Sequence, residues 1–210
     1  MKITGIEKTK KGRYSVYVDG AFLCALHPDI FAAASIRAGD AAEPDTLVAL
    51  QRASEEKITR DRALRLLSAR SYASGGLRKK LLVYTDSDIA DAVVARMQEL
   101  GLIDDADYAR RYAADCMNLR NFSLARTRLA LLEKGIPGDI ADDALADMDI
   151  DPAPAIARII IRKYAGYSAD EKSRIRAVNG LLRLGYRHGD IREVMRNFEE
   201  DPDYYTSVDE

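Results

Sequence analysis

The chain has 210 residues, 47% of them apolar and 31% charged, the make-up of a folded and charge-rich protein. No run approaches the roughly 18 apolar residues of a membrane span. The opening Met1-Lys2-Ile3-Thr4-Gly5 lacks the apolar core of a secretory signal, so a cytoplasmic location and no membrane partner are expected.

Residues 1–26 read as strands. Lys2 to Glu7 is short and partly apolar, Tyr14-Ser15-Val16-Tyr17-Val18 is β-prone, and Asp19-Gly20 predicts a tight turn into Ala21–Leu26. Lys10-Lys11-Gly12-Arg13 suits the earlier turn. A small antiparallel sheet results, and it needs something to pack on. Residues 27–56 are transitional: Pro28-Asp29 starts a short helix, Ala38-Gly39-Asp40 breaks it, and Pro44-Asp45 precedes Leu47, Val48 and Leu50 at helical spacing, in a helix that can run on past Glu55.

From residue 57 the pattern is helical and repeats. Asp88-Ile89-Ala90-Asp91 recurs unchanged as Asp139-Ile140-Ala141-Asp142 and again as Asp190-Ile191-Arg192-Glu193, 51 residues apart each time. Each copy follows a Leu-rich basic segment: Leu77–Leu82, Arg126–Leu132 and Val178–Leu184. Lys134-Gly135 and Leu184-Gly185 then supply a glycine stop, where the first copy has Tyr84-Thr85. Each unit therefore reads as three helices: about 58–71, 74–83 and 87–100; 105–119, 122–134 and 138–148; 153–165, 170–184 and 188–198. The Asp of each Asp-Ile pair falls in the first turn of a third helix, where it can cap free amides and favour the helix dipole. Ile89, Ile140 and Ile191 then start the buried stripes, and in the first unit the stripe continues through Val93, Met97 and Leu100.

The predicted fold is mainly α: three tandem three-helix repeats forming an elongated, curved stack, with the small β-sheet at the N-terminus. The parts are 1–56, a sheet region with short helices; 57–103, 104–150 and 151–198, the repeats; and 199–210, an acidic tail expected to be disordered. That tail carries Glu199, Glu200, Asp201, Asp203, Asp209 and Glu210, and without it 32 basic residues face 28 acidic ones, against a net charge of −2 for the whole chain.

Catalytic chemistry finds no support. Cys24 and Cys116 lie far apart, and His27 and His188 have no Cys or His neighbour, so a zinc site is excluded. No phosphate-binding loop is present, and no cofactor is expected. Adjacent carboxylates such as Asp104-Asp105 and Asp142-Asp143 point apart on a helix and make poor catalytic pairs. The protein is expected not to be an enzyme.

Gly101-Leu102-Ile103-Asp104-Asp105-Ala106-Asp107-Tyr108-Ala109 lies between the first two repeats. Locally, Gly101 ends a helix in the left-handed conformation, Leu102 and Ile103 plug the junction, Asp104 or Asp105 caps the next helix, and Tyr108 packs back. This stretch resembles the signature of the RecX family. Ala63–Arg70 with Leu77-Arg78-Lys79-Lys80-Leu81 resembles that family's first repeat, and Leu131-Leu132-Glu133-Lys134-Gly135-Ile136 its second. Residues 57–198 carry the resemblance, and residues 1–56 carry it more weakly. One departure concerns Ala73, Gly76 and Leu77, which stand where the family usually places Ser and a Glu-Leu pair; Ser74 is expected to take over the cap. The resemblance implies a regulator that binds RecA protein and lodges in the groove of the RecA–DNA filament, and a monomer is expected. It implies modulation, usually inhibition, of ATPase, strand-exchange and co-protease activities in DNA repair, recombination and the SOS response.

Such a binder needs basic residues. Residues 57–83 hold eight against one acidic residue, and 151–198 hold ten against five. The candidates are Arg70, Arg78, Lys79 and Lys80; Arg110, Arg111, Arg126, Arg128 and Lys134; and Arg158, Arg162, Lys163, Arg174 and Arg176. Singly, each also reads as part of a solvated helix face. Tyr72, Tyr84, Tyr108, Tyr112, Tyr164 and Tyr167 interleave with them, and helix packing fits these rings better than base stacking. A helical module that binds single- or double-stranded DNA by itself, or a general interaction scaffold, fits the same residues.

Overall fold

The computed structural model describes residues 1–146, 148 and 151–201. The chain forms two compact units, residues 1–104 and 105–210.

In the first unit, β1 (Ile3–Lys8), β2 (Tyr14–Val18) and β3 (Ala21–Leu26) form an antiparallel sheet in that order. Asp19 and Gly20 both take positive φ, +49° and +86°, the geometry that lets a two-residue turn follow strand twist. Thr4 Oγ1 accepts from the Gly20 N–H at 2.9 Å and Asp19 Oδ1 from the Lys2 N–H at 2.9 Å, tying the turn to β1. The sheet buries Ile3, Val16, Val18 and Leu26 against Leu47, with Phe31, Ile36 and Leu50 around them. This is the packing partner a small sheet requires. The short helix α1 (Pro28–Ala34) is capped by His27, whose Nδ1 accepts from the Asp29 N–H at 3.2 Å. His27 Nε2 lies 3.1 Å from the Asp61 carboxylate, and Lys57 Nζ lies 3.2 Å from both Asp29 and Asp61. These contacts fasten α1 to the next helix.

That helix, α2, runs unbroken from Pro44 to Ala69. The expected boundary at 56/57 therefore falls inside an element. Residues 45–74 contain neither glycine nor proline, so nothing local stops the helix. Its N-terminal half gives Leu47 and Leu50 to the sheet core; its C-terminal half gives Ala63, Leu66 and Leu67 to a second core. There they meet Leu77 and Leu81 of α3 (Ser74–Leu81), Ile89, Ala90, Val93, Val94 and Met97 of α4 (Ser87–Glu99), and Ile103.

Four local expectations are corrected in this unit. Asp88 sits in the first turn of α4, but the cap is Asp86, whose carboxylate accepts from the Ile89 N–H at 2.9 Å. The cap must precede the first helical residue, and Asp88 comes after it. Ser74 is likewise already helical; Ala73 precedes it and makes no side-chain cap. Leu100 lies beyond the last turn of α4 and is exposed rather than part of the stripe. Leu102 is exposed too, so Ile103 alone of that pair is buried. Gly101 does end the helix with φ +67°: its own N–H donates to Gln98 O and the Leu102 N–H to Met97 O, both at 2.9 Å, a Schellman closure.

The second unit contains α5 (Asp105–Asn118), α6 (Leu124–Lys134), α7 (Gly138–Ala146), α8 (Pro152–Lys163), α9 (Glu171–Arg183) and α10 (His188–Glu200). Ser123, Asp151 and Asp170 cap α6, α8 and α9 through bonds from the Arg126, Ala153 and Ser173 N–H groups at 3.2, 2.9 and 2.8 Å. Gly135 and Gly185, at φ +85° and +91°, end α6 and α9 and bury the following Ile136 and Tyr186. The core of α5–α7 includes Ala109, Ala113, Cys116, Ala130, Leu131, Ile136 and Ala141, whereas Ile140, expected to start the buried stripe of α7, is only half-buried. That of α8–α10 is bulkier, with Ile156, Ile159, Ile160, Tyr167, Leu181, Ile191 and Met195. The Ser123 N–H donates to Leu184 O at 2.9 Å, joining the start of α6 to the end of α9. Helix α10 continues through Glu200, two residues into the expected acidic tail. Residues 202–210 of that tail lie outside the described residues.

The second helices keep register: Leu77, Thr127 and Ala177 are fully buried, as are Leu81, Leu131 and Leu181 one turn later. A period of 50 in these helices accompanies the period of 51 in the Asp-Ile motif.

Candidate partner-binding surface

The register explains two of the candidate arginines. One residue after Leu77 and Thr127 stand Arg78 and Arg128. Each makes a bidentate bond to the last residue of the recurring motif, Asp91 or Asp142, with the Nη2–Oδ2 arms at 3.1 and 2.9 Å. The guanidinium hydrogen bonds hold both carboxyls below the ordinary aspartate value. Each pair cross-braces a second helix to a third helix. In α8–α10 the corresponding residues are Val178 and Glu193, and no such brace forms among the described residues.

Three further candidates are also occupied by carboxylates: Arg111 by Asp107 at 2.6 Å, Arg174 by Glu199 at 2.8 Å and Arg126 by Glu133 at 3.3 Å. Arg70 lies over the Tyr72 ring at 4.4 Å and Lys134 over Tyr112 at 5.2 Å. Lys79, Lys80, Arg110, Arg162, Lys163 and Arg176 are exposed and have no acidic partner among the described residues. Arg158 is exposed beside an open cleft of about 770 Å³, lined by Phe122, Asp151, Tyr186 and Arg187 among others. The fourteen residues are thus spread over both units, and at least five of them are neutralised by described carboxylates.

The tyrosines divide as well. Tyr167 is buried and its hydroxyl donates to Met195 O at 3.3 Å, while Tyr164 packs against Gly180. Tyr108 stacks on Tyr112 with ring centroids 5.9 Å apart, and the Tyr112 hydroxyl accepts from Arg120 at 3.2 Å. Burial pushes the Tyr112 and Tyr186 hydroxyls up. Tyr84 differs: it is exposed, and the Arg62 guanidinium lies 3.4 Å from its ring centroid.

Sequence reasoning missed two features. Arg62 reaches Tyr84 across 22 positions, beyond any local pattern. The β1–β2 turn gathers Lys8, Lys10, Lys11 and Arg13 with no acidic partner among the described residues, held by the Arg13 N–H bond to Thr9 Oγ1 at 3.0 Å. Its signal in the sequence is four cations within six residues at a turn.

Fold and surface together define a mainly helical protein built of helix triplets with a small N-terminal sheet. Among the described residues, no helix is long and apolar enough to cross a membrane and no group of side chains could hold a metal ion. Residues 104–145, covering α5–α7, match a family model described as the second three-helix domain of RecX, and residues 1–43 match that of the regulatory protein RecX N-terminal domain. The chain is 32% identical to the regulatory protein RecX of Trichlorobacter lovleyi over 138 residues, 63% of this chain and 90% of that one. It is 29% identical to that of Pectobacterium atrosepticum over 156 residues, 66% of this chain and 96% of that one. A crystal structure of regulatory protein RecX superposes with a TM-score of 0.64 at 22% identity, covering 93% of this chain and 98% of the other. RecX from Lactobacillus salivarius gives 0.60 at 23% identity, covering 70% and 98%. The chain belongs to the RecX family of regulatory proteins.

Proposed function

We propose that this chain regulates the RecA recombinase in the cytoplasm by binding RecA and the RecA–DNA filament, lowering its ATPase, strand-exchange and co-protease activities. It acts as a monomer without cofactor or catalysis of its own. The helix triplets are the repeating units of the binder. The observation that carries this reading is the sorting of the cations. Arg78 and Arg128 brace the triplets internally, whereas Lys79, Lys80, Arg110, Arg162, Lys163 and Arg176 keep their charge for an outside anion. Exposed, unpaired cations gain more from an anionic partner than cations already spending their hydrogen bonds on aspartates.

The test is a titration of the chain into RecA turning over ATP on single-stranded DNA. Inhibition near stoichiometric ratios is expected, and unchanged ATPase and strand exchange would sink the reading. Lys79→Glu with Lys80→Glu should weaken filament association and leave helicity intact. A second reading, direct binding to DNA, is favoured by the basic β1–β2 turn. It predicts DNA affinity in the absence of RecA that falls steeply with salt.

A further inference from the structure

Leu82, Val83 and Tyr84 follow α3 without a break and are 39%, 71% and 62% exposed. The other two triplets show how much of this the scaffold needs. Leu132 and Leu182, at the positions of Leu82, are 37% and 40% exposed, so a half-exposed leucine belongs to the repeat itself. The next two positions do not follow it. Where the first triplet has Val83 and Tyr84, the second has Glu133 and Lys134 and the third has Arg183 and Leu184. Residues that elsewhere are mostly charged are replaced at one corner by an aliphatic and an aromatic side chain in water. The exposure is not forced by the turn. That corner closes with the Tyr84 N–H donating to Leu81 O at 2.8 Å, a backbone bond that any side chain permits. A run of three large exposed apolar residues opposes solubility unless a partner covers it.

The surroundings state what kind of partner. The Arg62 guanidinium from α2 is stationed on the Tyr84 ring at 3.4 Å, and no carboxylate pairs with it among the described residues. Lys79 and Lys80, one turn upstream on α3, are exposed and equally unpaired. Arg78, by contrast, is committed to Asp91. The corner is thus an apolar centre containing Tyr and Arg, with cations at its rim. That is the composition of protein docking sites, where aromatic and Arg side chains supply most of the energy and the charged rim selects the partner. Nucleic-acid bases fit less well: one face of the ring is used by Arg62, and Leu82 and Val83 offer no stacking surface.

We infer that the corner after α3, with Val83 and Tyr84 at its centre and Arg62, Lys79 and Lys80 around them, docks an apolar protein segment flanked by carboxylates. The inference rests on the filament reading above, which makes that segment part of RecA. Val83→Ser with Tyr84→Ser removes the apolar centre without touching a buried side chain, so circular dichroism and thermal midpoint should stay at wild-type values. Lys79→Gln with Lys80→Gln removes only the rim. Binding of the labelled chain is measured by fluorescence anisotropy to RecA filaments assembled on an oligonucleotide with a non-hydrolysable ATP analogue, and to the same oligonucleotide alone. The serine pair is expected to lose about tenfold or more in filament affinity, the scale of a docking hot spot, with oligonucleotide binding unchanged. The glutamine pair should lose less and show a shallower salt dependence. A wild-type chain that binds the filament while the serine pair binds equally well overturns the docking assignment alone. A loss that appears equally on the bare oligonucleotide overturns it in favour of a base-stacking site. A wild-type chain that ignores the filament overturns the filament reading and this assignment together.

Discussion

The α5–α7 and α8–α10 triplets keep the same register with different materials. Leu131 and Leu181 occupy one position and are both fully buried, and Gly135 and Gly185 close their helices alike. Among the described residues, the buried side chains of α5–α7 are mostly alanine, while those of α8–α10 include isoleucine, tyrosine and methionine. The small-residue triplet also carries the Arg128–Asp142 brace, which the bulky one lacks. Position 130/180 shows the reciprocal constraint. Ala130 is buried in the second triplet; in the third the same place is Gly180, because Tyr164 fills the space its side chain would take. The arrangement tolerates exchange of core volume between neighbouring positions, provided the anchoring leucine and the helix stop are kept.

The most forceful way to break this comparison is to remove the anchors. Leu131→Ala and Leu181→Ala should each cost about 2–5 kcal/mol, because each removes a fully buried anchor and leaves a cavity behind. Urea denaturation of both variants measures it, and losses under about 1 kcal/mol would deny the leucines their role. Next comes Gly180→Ala. The added methyl would strike the Tyr164 hydroxyl and stand 2.8 Å from its Cζ, so a loss of about 1–3 kcal/mol is expected. Tyr164→Phe in the same chain should recover part of it; no recovery would place the strain elsewhere.

Smaller still is the pH dependence of the braces. Asp91 and Asp142 are held below their ordinary value of 3.8 by their arginines, so the stabilisation is full above that value and is lost as pH falls through it towards the folded-state pKa. Replacing Arg78 and Arg128 by Gln should flatten the acid limb of thermal midpoint against pH between about 5 and 2. An unchanged limb would mean that other carboxylates dominate it. The smallest structural perturbation is thiol labelling at neutral pH. Cys24 is half-buried and should react slowly in the native chain, whereas Cys116 is fully buried, burial pushes its thiol up, and it should label only on unfolding. Equal labelling rates would show that the α5–α7 core opens readily.

Much of the fold was legible because its signals are local. The Asp19-Gly20 turn, the Asp-Ile recurrence and the glycine stops set most element ends to within about two residues, since caps and left-handed closures act over a single turn of chain. The long α2 was less so. The transitional composition of residues 27–56 suggests a domain boundary at 56/57 but also allows a helix past Glu55, and two cores at opposite ends of α2 decide for the continuous helix. Which aspartate caps α4 is not legible in the sequence, because Asp86 and Asp88 are the same residue type and only backbone position separates them.

The surface was legible as chemistry but not as availability. From the residues alone come the class of fold, the repeat, the absence of catalytic motifs and the list of cations. Which cations are spoken for depended on tertiary structure: Arg78 finds Asp91 at a distance of 13 residues, Arg128 finds Asp142 at 14, and Arg62 finds Tyr84 at 22. Charge is a property of a residue and can be counted along the chain. Pairing is a property of two side chains brought within about 3 Å, and only the packing of one helix on another sets that distance.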